Sequence, residues 1–279
     1  MAKQSGKAGA APKKRAKAVL RPREKKEPAE PVQSRPHTVD PEKLEMWRSL
    51  PEDQRVALRE REAARMFNNA ATLHREGKLE EAVGTYSKSL LLNPKQSDVY
   101  NNMGVALRSM GKLEAAVACY RRSLVLKPNN SGVYSNMGNA LRELGRLEVA
   151  MASHQQAVRL APRSTEAYYN LGLVLRDLGQ TEAALSCLDK ALALNENHID
   201  CQWDRALTLL EMGRLEEGFE AYESRWQLDR SPPRQFEQPR WDGSELKGKT
   251  VLVHHEQGFG DMIQFARYLP MIKARGGQV

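Results

Sequence analysis

SDVYNNMGVALRSMGKLEAAVACYRRSLVLKPNN (97–130) is followed without a gap by SGVYSNMGNALRELGRLEVAMASHQQAVRLAPRS (131–164). The two blocks share Val, Tyr, Asn, Met, Gly, Ala, Leu, Arg and Gly at equal offsets. The same register runs back to Ala63 and forward to Pro232, dividing the chain into five 34-residue blocks: 63–96, 97–130, 131–164, 165–198 and 199–232. A fixed period of this length, held without insertion or deletion, marks a solenoid of supersecondary units stacked on one another.

Glycine sets the phase. Gly77, Gly111, Gly145, Gly179 and Gly213 stand at position 15 of successive blocks. A helix ending in a left-handed turn needs a residue without a Cβ there, so each block reads as a helix, a turn and a second helix. Position 8 is small throughout (Ala70, Gly104, Gly138, Gly172, Ala206), as is position 20 (Ala82, Ala116, Ala150, Ala184, Gly218), which lets the two helices cross closely. Leucine fills position 11 (Leu73, Leu107, Leu141, Leu175, Leu209), tyrosine recurs at position 24 (Tyr86, Tyr120, Tyr222) and proline at position 32 (Pro94, Pro128, Pro162). The pattern resembles the tetratricopeptide repeat, and the expected fold is an all-α helical-hairpin solenoid. The later blocks depart from it: Glu196 and Arg230 replace the proline, Leu188 replaces the aromatic, and Arg225 stands where other blocks have Ser or Ala. The fifth block therefore reads as a cap with a more polar outer face.

Hydrophobic residues make up 41% of the 279, enough for a packed core. The formal charge of +8 is not spread evenly. Eleven Lys/Arg and three Glu lie in 1–36, and the remaining 32 Lys/Arg and 32 Asp/Glu balance each other. Residues 1–37, rich in Lys, Ala, Gly and Pro, are expected to form a disordered, solubilising tail. A nonspecific electrostatic contact with nucleic acid or an anionic membrane is the other use of such a segment, but no groove-reading motif accompanies it. Cys119, Cys187 and Cys201 lack metal or disulfide spacing and read as reduced thiols of a cytoplasmic protein. No stretch has the length and apolarity of a membrane span or the core of a secretory signal.

Asp40-Pro41 predicts a helix start, and a short helix carrying Leu44 and Trp47 should follow. Pro51 restarts the chain, and one helix is expected from there into the first repeat. Residues 38–62 read as N-terminal capping helices, with Trp47 covering the end of the solenoid.

In the first helix of each block, positions 4, 7, 8 and 11 form the inward apolar stripe. Position 6 lies about 200° from position 4 and must look away from that core. It holds Asn68, Asn102, Asn136, Asn170 and then Asp204. Asparagine is a mediocre helix former, whereas a primary amide complements a peptide group, so such a column can hold an extended chain without reading its side chains. Bonding within the repeat is the competing use. The column resembles the asparagine ladder in the superhelix of O-linked N-acetylglucosamine transferases, which grips the backbone of substrate proteins. The resemblance implies peptide binding by Asn68, Asn102, Asn136 and Asn170 in a concave groove, with Asp204 departing from it. Position 12 is basic in four blocks (His74, Arg108, Arg142, Arg176), so the groove should also favour acidic segments.

After a linker at 233–249 the grammar changes. TVLVH (250–254) reads as a buried-type strand, 255–261 as a glycine-bearing loop, 262–275 as a helix, and Gly276-Gly277 as a turn toward a new strand at Val279. This is the opening of a parallel α/β unit. GSELKGKT (243–250) fits the phosphate-loop formula, yet it precedes the strand and opens no helix. Gly258-Phe259-Gly260 lacks the third glycine of a dinucleotide fingerprint, since Ile263 takes its place. His254-His255 point to opposite faces and make no metal pair, so no metal site is expected. PRWDGS (239–244), GKTVLV (248–253) and EQGFGDMIQFARYLP (256–270) resemble the start of a GT-B glycosyltransferase domain of the heptosyltransferase-like kind, which in bacterial proteins follows tetratricopeptide repeats. The resemblance implies that Asp261 faces a cleft and serves as the base for an acceptor hydroxyl. Its other reading is the N-cap of the following helix. The 250–279 segment is then an incomplete glycosyltransferase-like piece. A nucleotide sugar becomes a cofactor only if that domain is completed; within these residues the chain needs none, and its expected function is recognition of a protein or peptide.

Overall fold

The computed structural model describes residues 45–46, 49–228, 236–254 and 259–279. The tail at 1–37, Leu44, Trp47, Arg230, Pro232 and the 255–258 loop lie outside them. The chain divides at Leu50/Pro51. In the first unit Glu45, Met46 and Ser49 are helical, and the Ser49 hydroxyl donates to the Met46 carbonyl at 2.7 Å.

The second unit is a run of helical hairpins. Each first (A) helix alternates with a second (B) helix: α1 Glu52–Arg75 and α2 Leu79–Leu92, α3 Ser97–Ser109 and α4 Leu113–Leu126, α5 Ser131–Glu143 and α6 Leu147–Leu160. Two more follow, α7 Thr165–Asp177 with α8 Thr181–Leu194, and α9 Ile199–Glu211 with α10 Leu215–Tyr222. This is the tetratricopeptide-repeat solenoid the period predicts, with its first A helix running back through Ala63 to Glu52.

The turns explain the register. All five position-15 glycines have φ between 72° and 76°, the left-handed region that penalises a Cβ. The amide after each glycine donates back to the position-11 leucine: Lys78 to Leu73, Lys112 to Leu107, Arg146 to Leu141, Gln180 to Leu175 and Arg214 to Leu209, at 2.9–3.0 Å. This six-to-one closure satisfies a carbonyl that the helix end would otherwise orphan.

Inside each hairpin, position 8 meets position 24. A Cβ on Gly104 would lie 2.6 Å from the Tyr120 ring, one on Gly138 2.6 Å from His154, and one on Gly172 3.0 Å from Leu188. The third repeat thus uses His154, fully buried, where Tyr86 and Tyr120 stand in the first two. Position 27 closes the open end of the hairpin: Ser89 Oγ donates to Ala63 O at 2.7 Å, and Ser97 Oγ meets Ser123 Oγ at 2.9 Å.

The expected apolar stripe needs extending. Position 8 is buried throughout and position 11 in all repeats but the first, where Leu73 is half-buried; position 4 is half-buried and position 7 ranges from exposed Asn69 to buried Leu171, while position 3 (Val99, Val133, Ala167, Cys201) and position 10 (Ala106, Ala140, Val174, Thr208) are buried. An A helix is packed on two sides, by its own B helix and by the preceding repeat. The first repeat has Arg65, Asn69 and Thr72 at positions 3, 7 and 10, all exposed, so the solenoid starts on a polar face. Residues 52–62 are a largely exposed extension of α1.

The fifth repeat does not end as a polar cap. Arg225 occupies position 27, where the other repeats have Ser or Ala, and its guanidinium lies against Tyr222 and Trp226; here α10 stops after eight residues and gives way to a 3-10 turn, Glu223–Gln227. Leu215 and Phe219 remain exposed. The strand expected at 250–254 reduces to one parallel bridge, Thr250 to Gln278, with Val251 N donating to Gln278 O at 2.8 Å. Extended backbone with a single parallel neighbour on one side has too few ladder bonds to form a regular strand. The following helix begins earlier than expected: α11 Phe259–Phe265, a 3-10 turn Ala266–Tyr268 and α12 Leu269–Ala274, with Pro270 restarting it. Leu246 and Ile272 form the small core of this piece.

His154 makes the solenoid acid-sensitive. Both ring nitrogens are buried without a hydrogen-bond partner among the described residues. Burial, then the Arg142 charge, lowers its pKa from 6.5 to about 4. Above pH 6.5 the ring is neutral folded or unfolded. Between 6.5 and about 4 only the unfolded chain takes the proton, so stability falls as pH falls, by up to about 3 kcal/mol. His154→Leu, which copies Leu188 of the fourth repeat, should flatten this dependence in urea melts at pH 7 and pH 4.5.

Candidate functional site

The A helices carry the candidate site, and position 6 lies where successive A helices adjoin, half-buried in the second to fourth repeats and buried in the fifth. Asn68 is exposed, and Asn102, Asn136 and Asn170 are half-buried. Helical spacing aligns them on one face of the solenoid. Asn102 Oδ1 accepts from Asn101 Nδ2 at 3.2 Å, and Asn136 Nδ2 donates to Asn101 Oδ1 at 3.0 Å. The amides of Asn68 and Asn170 bond to no described side chain or backbone group. Part of the column is therefore engaged within the fold, as the competing reading had it, and part is open.

Asp204, the departure at position 6 of the fifth block, is buried in a polar knot. Tyr169 Oη donates to its Oδ2 at 2.7 Å and Arg176 Nη1 to its Oδ1 at 2.8 Å, while Thr208 Oγ1 donates to its carbonyl. Burial, together with the Asp204 carboxylate, pushes the Tyr169 hydroxyl well above its ordinary range, so it remains a donor. The fifth rung is spent on joining the fourth and fifth repeats.

The arginine column is spent the same way. Arg108 reaches Glu143 at 2.5 and 2.8 Å, Arg142 reaches Asp177 at 2.5 and 3.2 Å, and Arg176 reaches Asp204. Each guanidinium thus pairs with an acid on the next A helix. The expectation that these arginines favour acidic segments meets a physical obstacle, since every one already faces a carboxylate. Composition at position 12 was legible in the sequence; the matching acids at position 13, Glu143 and Asp177, were the overlooked signal.

Asp261 lies inside the first turns of α11, so it does not cap that helix; its side chain lies outside the described residues. The loop at 243–250 leads into extended backbone and opens no helix among the described residues. The three thiols are free, and burial pushes Cys201 up to about 12, far from a nucleophile's range at neutral pH. No helix among the described residues is long and apolar enough to cross a membrane.

Comparison with known proteins agrees with the geometry. The family described as tetratricopeptide repeat matches residues 97–130 and 165–198, and the family described as TPR repeat matches 138–175. The fold is a tetratricopeptide-repeat solenoid, and the matched segments lie in its second, third and fourth repeats. Protein FlbA of Caulobacter vibrioides is 47% identical over 58 residues, which span 20% of this chain and 10% of FlbA. Among solved structures, MamA from Desulfovibrio magneticus RS-1 is 23% identical with a TM-score of 0.56, covering 62% of this chain and 97% of that one. YrrB, described as a TPR protein with an unusual peptide-binding site, is 22% identical with a TM-score of 0.51, covering 60% and 86%. These two likenesses are of fold.

The ion pairs differ in burial and should differ in weight. Arg176 and Asp204 side chains keep 17% and 12% of their surface, Arg108 and Glu143 35% and 42%. Arg176→Ala strands a buried carboxylate and should cost about 2 kcal/mol. Arg108→Ala should cost under about 1 kcal/mol. Chemical denaturation of the two variants checks the order.

Proposed function

We propose that the chain is a protein-interaction module whose A-helix face holds an extended peptide by its backbone. The observation that carries this is the column of amides at position 6, with Asn68 and Asn170 open and Asn102 and Asn136 half-exposed beside them. With neighbouring A helices on the order of 10 Å apart and an extended chain rising about 3.3 Å per residue, each rung meets roughly every third residue. Arg108, Arg142 and Arg176 line the same face; in this reading they hold successive A helices in place and offer their remaining N–H groups to passing carbonyls. The fold shared with YrrB supports a peptide ligand for this class of scaffold.

A backbone grip is weak and tolerant of sequence, because each hydrogen bond contributes a net ~0.5–1.5 kcal/mol. Asn102→Ala with Asn136→Ala should weaken binding of an extended peptide, recovered from a captured partner, about ten-fold or more in calorimetry. Circular dichroism should show the helices intact. Unchanged affinity would return the asparagines to bonding within the fold.

A second reading is favoured by the parallel bridge between Thr250 and Gln278 across α11 and α12, the first step of a β-α-β unit. In it the repeats present acceptors to a glycosyltransferase domain that uses a nucleotide-sugar donor, and Asp261 takes the acceptor's proton. General-base help is worth about 10²–10⁴ in rate and needs a donor site beside it. The 279-residue chain should therefore release no nucleotide from a panel of nucleotide sugars. Turnover lost in Asp261→Asn would make this piece catalytic by itself and replace the first reading.

A further inference from the structure

Every B helix of this solenoid but the last is covered on one ridge by the next A helix. At position 21 of the repeat, Val117 and Leu185 keep only 4% and 7% of their surface, and Val83 and Met151 are half-buried. At position 17, Leu79, Leu113, Leu147 and Thr181 are half-buried too. In α10 the same two places hold Leu215 and Phe219, and these are 55% and 61% exposed. One ridge further, Trp226 is closed over by the Arg225 and Arg240 guanidiniums, 4.3 and 5.1 Å from its ring. One part of the terminal surface is thus closed over at Trp226, and Leu215 and Phe219 are left exposed.

We propose that Leu215 and Phe219 form a docking site for an amphipathic α-helix supplied by another protein, seated where a sixth A helix would lie. The surface continues an interface that this chain builds four times, and those four occupants define what fits. They carry Val99, Val133, Ala167 and Cys201 at one place, Met103, Met137, Leu171 and Arg205 four residues on, and Ala106, Ala140, Val174 and Thr208 three further. The fit is an i, i+4, i+7 stripe that is small or apolar in the first three occupants and carries Arg205 and Thr208 beside Cys201 in the fourth. The ion-pair column stops short of this end, because position 12 of the fifth repeat is Leu210, so the incoming helix needs no carboxylate there.

Two nearer occupants match less well. A second copy stacked head to tail would bring Arg65, Asn69 and Thr72 against Phe219, polar at all three places, whereas the first three occupants are apolar at all three and the fourth keeps Cys201 beside Arg205 and Thr208. The chain's own α11 and α12 have 7 and 6 residues, about 10 Å of helix each, against 13 residues and about 20 Å in α3, α5, α7 and α9.

The test uses the full 279-residue chain and a stapled helical peptide of residues 131–144, the A helix of the third repeat. Stapling is needed because a free helix this short is marginal in water. The peptide should bind saturably. Phe219→Asp should weaken it about ten-fold or more, and Phe219→Leu should keep most of the affinity. A stapled peptide of 63–76, carrying Arg65, Asn69 and Thr72, should not bind. Since Phe219 is exposed, Phe219→Asp should retain the helical signal; Leu215→Ser is the second variant if it does not. Asn102→Ala with Asn136→Ala should leave this peptide's affinity unchanged, which separates the end face from the asparagine face. No binding of the 131–144 peptide, equal binding of the 63–76 peptide, or indifference to Phe219→Asp would overturn the proposal. So would self-association in sedimentation that Phe219→Asp abolishes, since the face would then belong to a second copy.

Discussion

The close approach of two helices at position 8 is the constraint on which the rest of this solenoid depends. With only hydrogen or a methyl group on the A helix, the ring of Tyr120 or His154 lies directly against its backbone. That distance sets how far the hairpin opens, which in turn sets where the next A helix can rest. Protein interiors are close-packed, so a methyl group in this crossing is felt along the hairpin. The variation at position 24 shows the tolerance: Tyr, His and Leu all fill it when position 8 is Gly, while Ala70 and Ala206 stand in the repeats that carry Tyr86 and Tyr222.

Much of this was legible in the residues because it repeats. A glycine at a fixed phase has one physical explanation when it recurs five times, and the φ values of Gly77 through Gly213 bear it out. The inter-repeat contacts were harder to read. Positions 3 and 10 are buried only because a neighbouring repeat covers them, and a stripe computed for a lone helix overlooks that second packed side. Arg108, Arg142 and Arg176 looked like a ligand-facing column for the same reason: read alone, a basic position has no visible partner, whereas its acid lies 35 residues away in Glu143 and Asp177.

The end of the repeats is more apolar than its sequence suggests, with Leu215 and Phe219 exposed. Arg225 suggested polarity, and polarity suggested a cap. In the structure the arginine instead stacks between Tyr222 and Trp226, with Tyr222 against Trp203 at 4.8 Å and Glu223 bonded to both Arg225 and Arg240. Alternating rings and guanidiniums close one corner through cation–π contacts and leave Phe219 bare. A one-dimensional pattern does not show which corner a long side chain will cover.

Two of the ion pairs, Arg108 with Glu143 and Arg142 with Asp177, join residues 35 apart in a chain that repeats every 34, so arginine and acid are adjacent letters of one unit. Unit three both offers an arginine, Arg142, and receives one, through Glu143. Excision of residues 131–164 would therefore bring Arg108 opposite Asp177 and renew the link, whereas loss of a single residue from a turn would misalign the pair that spans it. The molecule is written in a grammar that tolerates the gain or loss of whole words and punishes a change of one letter's spacing. Its length is free to vary in steps of 34 while its internal chemistry stays the same.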